Sequence, residues 1–486
     1  MPELAVAPAP IPSVSPATAG IEQLFQAQLR HQFTVARSTA RERIGKLQRL
    51  HDALLQHRDE IRRALQADFH KSVYETDITE IGVVNSEIRH AIRHLKGWMR
   101  PRHIGTPLAL IGSSSRVRYE PKGVCLILSP WNFPFNLTFA PLVSAIAAGN
   151  CVVLKPSEFT PHSSAVMKKI VAELFPPEEI TLVEGDATVA QALTSLPFHH
   201  IFFTGSPAVG KLVMAAAAKN LASVTLELGG KSPVVVDESA DLDNAAAKIA
   251  WLKCMNAGQI CIAPDYLLVQ ENVHDALVEK IKQQIGKFLG ESPEARQATP
   301  DYSRIVNRNH FDRVQALLED AVKQGGRVAL GGPSDRNDRF IDPTVLVQVP
   351  AAARIWQEEI FGPLLPVQDF KTLDDALAII NAKPKSLAMY LFSRNKRNIN
   401  YLLTETRNGG VSVNDCGVHF FNAGLPFGGA NNSGIGKCHG EYGFQEFSNA
   451  RGVLYQSRWL PSSDFLLPPY GSRVFKFLVE AIVKWL

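Results

Sequence analysis

The chain has 486 residues, 45% hydrophobic and 20% charged, with a formal net charge of +4. This balance suits a soluble globular protein with room for two or three domains, and it argues against nucleic acid as a partner. No uncharged apolar run reaches the roughly 18 residues that a membrane-spanning helix needs.

Met1 to Gly20 is rich in Pro, Ala and Ser. It lacks the basic and apolar blocks of a signal peptide and the Arg of a transit peptide, so residues 1–20 are expected to form a disordered tail. The six cysteines (Cys125, Cys151, Cys254, Cys261, Cys416, Cys438) are scattered, with no Cys-x-x-Cys or Cys/His cluster to suggest a metal. They read as the reduced thiols of a cytoplasmic enzyme.

Residues from about 21 to 100 carry helical periodicity. Ile44, Leu47, Leu50, Leu54, Leu55, Ile61 and Leu65 mark one apolar face over Arg41 to Phe69, and Ile78 to Met99 continues the pattern up to Pro101. Arg89, His90, Arg93 and His94 are expected on a solvated face. From Pro101 to Val124, Pro, Gly and Ser punctuate β-prone pieces, which suits a hairpin that leaves the body and returns.

Strands and helices then alternate. The predicted strands are 123–128, 151–156, 180–183, 200–204 and 224–228; the predicted helices are 139–148, 163–174, 187–193 and 207–220. This rhythm implies a parallel sheet covered on both faces. A second α/β unit follows from Gly229, with strands at 233–236, 267–269 and 410–413 and helices at 242–257, 273–289, 308–323 and 372–381. Asp415 to Tyr455 is Gly- and Asn-rich and is expected to be loops packed on the body. Val474 to Leu486 is an apolar helix with one polar stripe of Lys476, Glu480 and Lys484. Such a helix docks on a subunit or lies at a membrane surface.

Several stretches carry chemistry. Cys261 sits beside a Gly258-Gln259 turn, where a thiolate can act as a nucleophile. Glu227 in Leu226-Glu227-Leu228-Gly229-Gly230 offers a general base. Asn132, in Pro130-Trp131-Asn132-Phe133-Pro134, has an amide able to donate to a developing oxyanion, or is simply a turn residue. Phe203-Thr204-Gly205-Ser206-Pro207-Ala208-Val209-Gly210 joins a strand to a helix whose free N–H groups suit a phosphate, although the glycine spacing is that of neither common nucleotide loop. Lys155-Pro156-Ser157-Glu158 ends a strand of the same sheet, where ligands gather. Lys155 can hold a ribose or phosphate there, and Glu158 can accept from a ribose hydroxyl. In Glu358-Glu359-Ile360-Phe361-Gly362-Pro363 one carboxylate can take a ribose diol. Cys254 reads as a small buried hydrophobe.

In this order the six motifs resemble the aldehyde dehydrogenase superfamily over about residues 22–460. Cys261-Ile262-Ala263-Pro264-Asp265-Tyr266, Leu425-Pro426-Phe427-Gly428-Gly429 and His439-Gly440-Glu441-Tyr442-Gly443-Phe444 are similar to its class 3 branch, which handles fatty and aromatic aldehydes. Ile88 to Leu95, Trp98 to Pro101 and Pro468 to Gly471 look like bacterial coniferyl-aldehyde dehydrogenases. The resemblance implies an α/β fold. Its NAD(P)-binding Rossmann-like domain would span 21–101 and 125–226, its catalytic domain 227–413, and its oligomerisation element 102–124 and 414–460, with 461–486 as an extension.

The resemblance also implies roles. Cys261 is the nucleophile, Glu227 the general base and Asn132 the oxyanion donor, with Glu359 able to share the base role as in class 3. Lys155 and Glu158 bind the adenosine ribose. Gly205, Ser206 and Gly210 belong to the pyrophosphate region. Glu359 takes the nicotinamide ribose, and Phe361 and Trp131 pack near the nicotinamide. Ala430-Asn431 departs from the relatives' Val-Gly and is placed at the substrate mouth. The expected cofactor is NAD, with NADP also used, and the expected assembly is a homodimer. An acyl-transferring reductase of the same scaffold usually lacks the carboxylate of Glu227, and a non-catalytic protein would lack Cys261 or Glu227.

Overall fold

The computed structural model describes residues 16–107, 110–459, 467–468 and 473–485. A six-stranded sheet holds Gly434–Ile435, Ser223–Leu228, His200–Gly205, Val124–Leu128, Cys151–Lys155 and Ile180–Leu182, in that spatial order. All neighbours are parallel except the short Gly434–Ile435 edge strand. Every residue of Val124–Leu128 and Cys151–Lys155 is buried. Successive side chains point to opposite faces, so Cys125, Ile127, Val152 and Leu154 enter one core while Val124, Leu126, Cys151 and Val153 enter another. The first core is covered by Ala40–Gln56, Arg58–Phe69, Val83–Trp98, Pro134–Ala148 and Pro161–Leu174, and the second by Pro16–Ala36 and Pro207–Ala218.

The seven-stranded sheet runs Arg327–Leu330, Thr344–Val347, Leu364–Phe370, Tyr266–Gln270, Pro233–Val236, Ala388–Phe392 and Gly410–Val413, and only its first pair is antiparallel. A third, antiparallel sheet pairs Ser113–Pro121 with Arg102–Ile104 on one side and Ser448–Gln456 on the other.

Several sequence expectations need correction. The first helix begins at Pro16, inside the expected tail; proline's preset φ suits the first helical turn and Ala17 and Ala19 extend it. Residues 1–15 lie outside the described residues. The helix expected over 41–69 is two, broken at His57, and the next begins with a π-helical turn at Asp77–Gly82. The helix expected over 139–148 starts at Pro134 and tolerates Pro141 within it. Residues 415–455 are more than loops: they contain Gly440–Glu446 as a helix, and Ser448–Gln456 forms nine residue pairs with Ser113–Pro121. That pairing partner lies over 300 residues away in sequence, so no local pattern marks it. The terminal helix runs Arg473–Trp485, with Phe477 and Val483 exposed. Among the described residues no helix is long and apolar enough to cross a membrane.

One buried ion pair anchors the start of Pro134–Ala148. Lys71 and Glu80 are both fully buried, with Lys71 Nζ donating to Glu80 Oε1 at 2.8 Å. Glu80 Oε2 accepts the backbone N–H groups of Phe135 (3.1 Å) and Asn136 (3.0 Å), which a helix start leaves without intrahelical partners. Lys71 Nζ also lies 4.2 Å from the Phe133 ring centre. Removing one partner strands the other charge. Lys71→Met should therefore lower unfolding free energy by about 3–5 kcal/mol, measured by urea unfolding, and the double variant Lys71→Met/Glu80→Gln should be less destabilised than the single one.

Candidate active site

The Cys261 loop is built from strained backbone held by buried amides. The helix Leu242–Cys254 ends in a tight turn, Met255–Gly258, in which Asn256 (φ 48°) and Ala257 (φ 51°) occupy the left-handed region. Such conformations cost on the order of 1–3 kcal/mol each and persist only where the surroundings enforce them. Here Asn256 Nδ2 donates to the Asn132 carbonyl (2.8 Å), and Gln259 Nε2 donates to the carbonyls of Asn256 (2.9 Å) and Arg304 (3.1 Å). Gln259 Oε1 accepts from Val306 N (3.0 Å). Gly258, at φ 72°, is the point of closest approach, since a Cβ there would run into the Gly362 carbonyl. The loop thus presses against the Glu359–Gly362 segment and leaves Cys261 partly exposed.

Asn132 is buried beside this loop. Its side-chain Nδ2 donates to the Gln259 carbonyl at 3.0 Å, two residues before Cys261. Glu227 is the fifth residue of Ser223–Leu228, within the strand that the sequence predicts, and lies opposite Gly434 on the antiparallel edge. Both of its carboxylate oxygens are buried without a conventional hydrogen-bond partner, although the Cys438 thiol lies against them. Glu359 sits over the next loop, where a Cβ on Gly229 would collide with its carboxylate, and it accepts from the Gly230 N–H.

Burial dominates the electrostatics. It pushes both Glu227 and Glu359 up to about 8. It pushes the Cys261 thiol up to about 12, with the carboxylates of Glu359 and Glu227 adding to the effect. In the free protein at neutral pH the thiol is protonated, and a ligand carrying positive charge into the site would favour the thiolate.

Cys261 stands where two cavities meet. One, of about 50 Å³, is a nearly wholly apolar tunnel walled by Leu137, Trp251, Met255, Ile262, Phe420 and Phe421. The other, of about 30 Å³, holds Glu227, Glu87, Thr204, Cys438 and His439. Sequence reasoning did not find the tunnel walls or Glu87, because they come from separated segments with no shared motif. Cys438 stands just before the His439–Phe444 motif, and its packing against Glu227 marks it out. Ala430-Asn431 does not line the tunnel: Asn431 is exposed, with Oδ1 accepting from Lys385 at 2.5 Å.

The other residues lie along the carboxyl ends of the six-stranded sheet. Lys155 ends its strand, its side chain 6% exposed and paired with Glu158 at 3.3 Å. Gly205 ends His200–Gly205, one strand away across Val124–Leu128, and Ser206 caps Pro207–Ala218 by accepting from Val209 N at 3.4 Å. Gly210 packs that helix onto the sheet; a Cβ there would lie 2.8 Å from a Leu228 methyl. Trp131 meets Phe361 edge to face, ring centres 5.3 Å apart, and packs on His310 at 4.8 Å. A cation beside a carboxylate, an open helix N-terminus and an aromatic wall next to the thiol are groups that fit ribose, pyrophosphate and a flat ring, so this row fits a nicotinamide dinucleotide.

Comparison with known proteins agrees with this reading. The sequence model of the aldehyde dehydrogenase family matches residues 11–453, and the chain belongs to that family. It is 41% identical to rat aldehyde dehydrogenase family 3 member B1 over 459 residues, 94% of this chain and 96% of that one. It is likewise 41% identical to a "probable coniferyl aldehyde dehydrogenase" of Caulobacter vibrioides, over 92% of this chain and 93% of that one. A substrate-bound structure of Staphylococcus aureus AldH superposes with a TM-score of 0.90 at 40% identity, covering 95% of this chain and 99% of that chain. Two more distant solved relatives are in complex with nicotinamide adenine dinucleotide. The protein is therefore an aldehyde dehydrogenase of the class 3-like branch, an oxidoreductase of a family that binds NAD(P).

The burial of the thiol is directly testable. Without ligand, Cys261 should alkylate slowly with iodoacetamide at pH 7 and progressively faster toward pH 10, followed by mass spectrometry of the Cys261 peptide. At pH 9, where both carboxylates are ionised, Glu227→Gln and Glu359→Gln should each accelerate labelling by about threefold or more, because removing a nearby negative charge favours the thiolate.

Proposed function

We propose that this enzyme oxidises apolar aldehydes, either aromatic and cinnamyl-type such as coniferyl aldehyde or medium- to long-chain aliphatic, to carboxylic acids. The observation that carries this is that Cys261 lines both an apolar tunnel and the adjoining cavity that holds Glu227. A tunnel with Asn136 and Thr79 among its few polar lining residues favours substrates that carry little beyond the aldehyde to hydrogen-bond.

The Cys261 thiolate attacks the aldehyde carbon to form a thiohemiacetal. Asn132 Nδ2 and the Cys261 backbone N–H donate to the oxyanion, which requires Asn132 to turn from the Gln259 carbonyl that it now meets. The bound dinucleotide supplies the hydride acceptor, so that oxidation leaves a thioester on Cys261. Glu227, once ionised, takes a proton from water, whose oxygen displaces the sulfur and releases the acid. Glu359 also lies close enough to act on the thiol, and it can share the base role.

Lys155 and Glu158 would bind the adenosine ribose, and Gly205 and Ser206 the pyrophosphate, with Gly210 allowing the helix to sit close. Glu359 would take the nicotinamide ribose, between Phe361 and Trp131 and the thiol. Glu158 favours NAD over NADP, because a 2′-phosphate would meet its negative charge.

Class 3-like homodimers fit the third sheet, whose nine-residue strand Ser448–Gln456 has a hydrogen-bonded neighbour on one side only among the described residues. A second reading, a fatty aldehyde dehydrogenase held at a membrane surface, is favoured by the exposed Phe477 and Val483 beside Lys476, Glu480 and Lys484.

Reduced-nicotinamide formation tests the proposal, using coniferyl aldehyde, benzaldehyde and a long-chain aldehyde, each with NAD and NADP. Cys261→Ala should lower turnover by more than ~10³-fold, and the substrate ranking selects between the aromatic and aliphatic readings. No turnover by the native enzyme with any pair would overturn the proposed substrate class. Glu158→Gln should raise the NADP-to-NAD activity ratio by roughly fivefold; an unchanged ratio removes Glu158 from the cofactor site.

A further inference from the structure

Each turnover leaves a proton on Glu227, and that proton needs a route to solvent. Glu227 is 5% exposed, and its oxygens have no conventional hydrogen-bond partner through which to lose a proton. The cavity that holds it also holds a second buried carboxylate, Glu87, 4% exposed, from the helix Val83–Trp98. No step of the reaction described above uses Glu87, and among the described residues no cation pairs with it. Its hydrogen-bond partner is the Gly440 backbone N–H, at 2.6 Å from Oε1.

The two carboxylates share one chamber with the Cys438 thiol, which burial pushes well above its usual range, with the charges of Glu227 and Glu87 adding to the effect. Thr204 and His439 add hydroxyl and imidazole groups to the wall. A chamber with about 30 Å³ of space for water, beside these polar groups, has room and partners for a bridging water. From Glu87 the path continues outward. A Cβ on Gly440 would lie 3.1 Å from His90 Nε2, so the imidazole of His90 rests against the residue that donates to Glu87. His90 is half-buried and stacks at 4.3 Å on His94, which is exposed.

We propose that Glu87 is a proton relay residue, which carries the proton released at Glu227 through water in the shared cavity to His90 and the surface. This rests on the assignment of Cys261 and Glu227 made above. In the hydrolytic step water binds the acyl carbon through its oxygen, the C–S bond breaks and Cys261 Sγ leaves as thiolate. One water proton goes to Glu227 and the other leaves with the acid. Glu227 then passes its proton to a cavity water, which gives one to Glu87, and Glu87 discharges toward His90; no electrons are transferred. Burial raises Glu87 to about 7, below Glu227 at about 8, so both groups exchange protons near neutrality. The groups that face Glu87 are Glu227, Cys438 and His439 across the cavity, Asn136 from Pro134–Ala148, Gly440 at the start of Gly440–Glu446, and His90 on its own helix. None of them is a fixed cation that would hold it permanently ionised.

The test isolates the hydrolytic half-reaction from the cofactor. p-Nitrophenyl acetate acylates a reactive thiol, and the p-nitrophenolate burst counts working sites before a steady phase reports acyl-enzyme hydrolysis. Glu87→Gln keeps the acceptor for Gly440 N–H and removes only proton exchange. It should leave the burst amplitude unchanged and slow the steady phase by about tenfold. Added imidazole, a small proton carrier, should recover most of the loss without affecting the native enzyme. A steady phase at the native rate, or one slowed equally with and without imidazole, overturns the relay. Absence of a burst in the native enzyme at pH 9, where more of the thiol is ionised than at neutrality, overturns the Cys261 assignment and the relay with it. A Glu227→Gln variant that hydrolyses the acyl-enzyme at the native rate overturns the base assignment, so the failures are distinguishable.

Discussion

Desolvation of acidic groups around a single thiol is the constraint on which the site depends. Cys261, Glu227 and Glu359 converge from three segments of chain, and burial raises all three. In water these groups would ionise at their ordinary values and repel each other weakly. Inside the protein each negative charge makes the next harder to form. The free site is therefore held largely protonated.

Such an arrangement needs a rigid frame, and buried amides supply it. Asn132, Asn256 and Gln259 bond one another across the junction between the Pro134–Ala148 helix and the Cys261 turn. Their bonds hold Asn256 and Ala257 in left-handed backbone that neither residue prefers. The Lys71–Glu80 pair then fixes the start of Pro134–Ala148. Cys261 is thus tied to both large sheets: to the seven-stranded one through its own turn, and to the six-stranded one through Asn132, a few residues beyond Val124–Leu128.

Much of this was legible in the sequence. Val124–Leu128 and Cys151–Lys155 are unbroken apolar runs because both of their faces are covered, and Cys261, Glu227 and Asn132 stand in short motifs whose spacing survives any packing. Helix ends were less legible. Pro134 and Pro16 look like breakers in sequence yet begin helices, because the missing N–H belongs to a group that has no intrahelical partner there anyway. The strand Ser448–Gln456 is hard to see in the sequence because its alternation is weak and the strand it pairs with, Ser113–Pro121, lies over 300 residues away.

What the sequence by itself determined is the chemistry: a thiol, a carboxylate and an amide in a recognisable order, on an alternation of strands and helices that makes parallel sheets. Only the tertiary structure decided how those groups behave. Trp251, Met255 and Phe420 become a tunnel, Glu87 and Glu227 come to share a cavity, and Glu359 comes to rest over Gly229, through contacts between segments tens to hundreds of residues apart. Residue identity sets which protons can move, but burial sets where they titrate, and burial is a property of the packed chain.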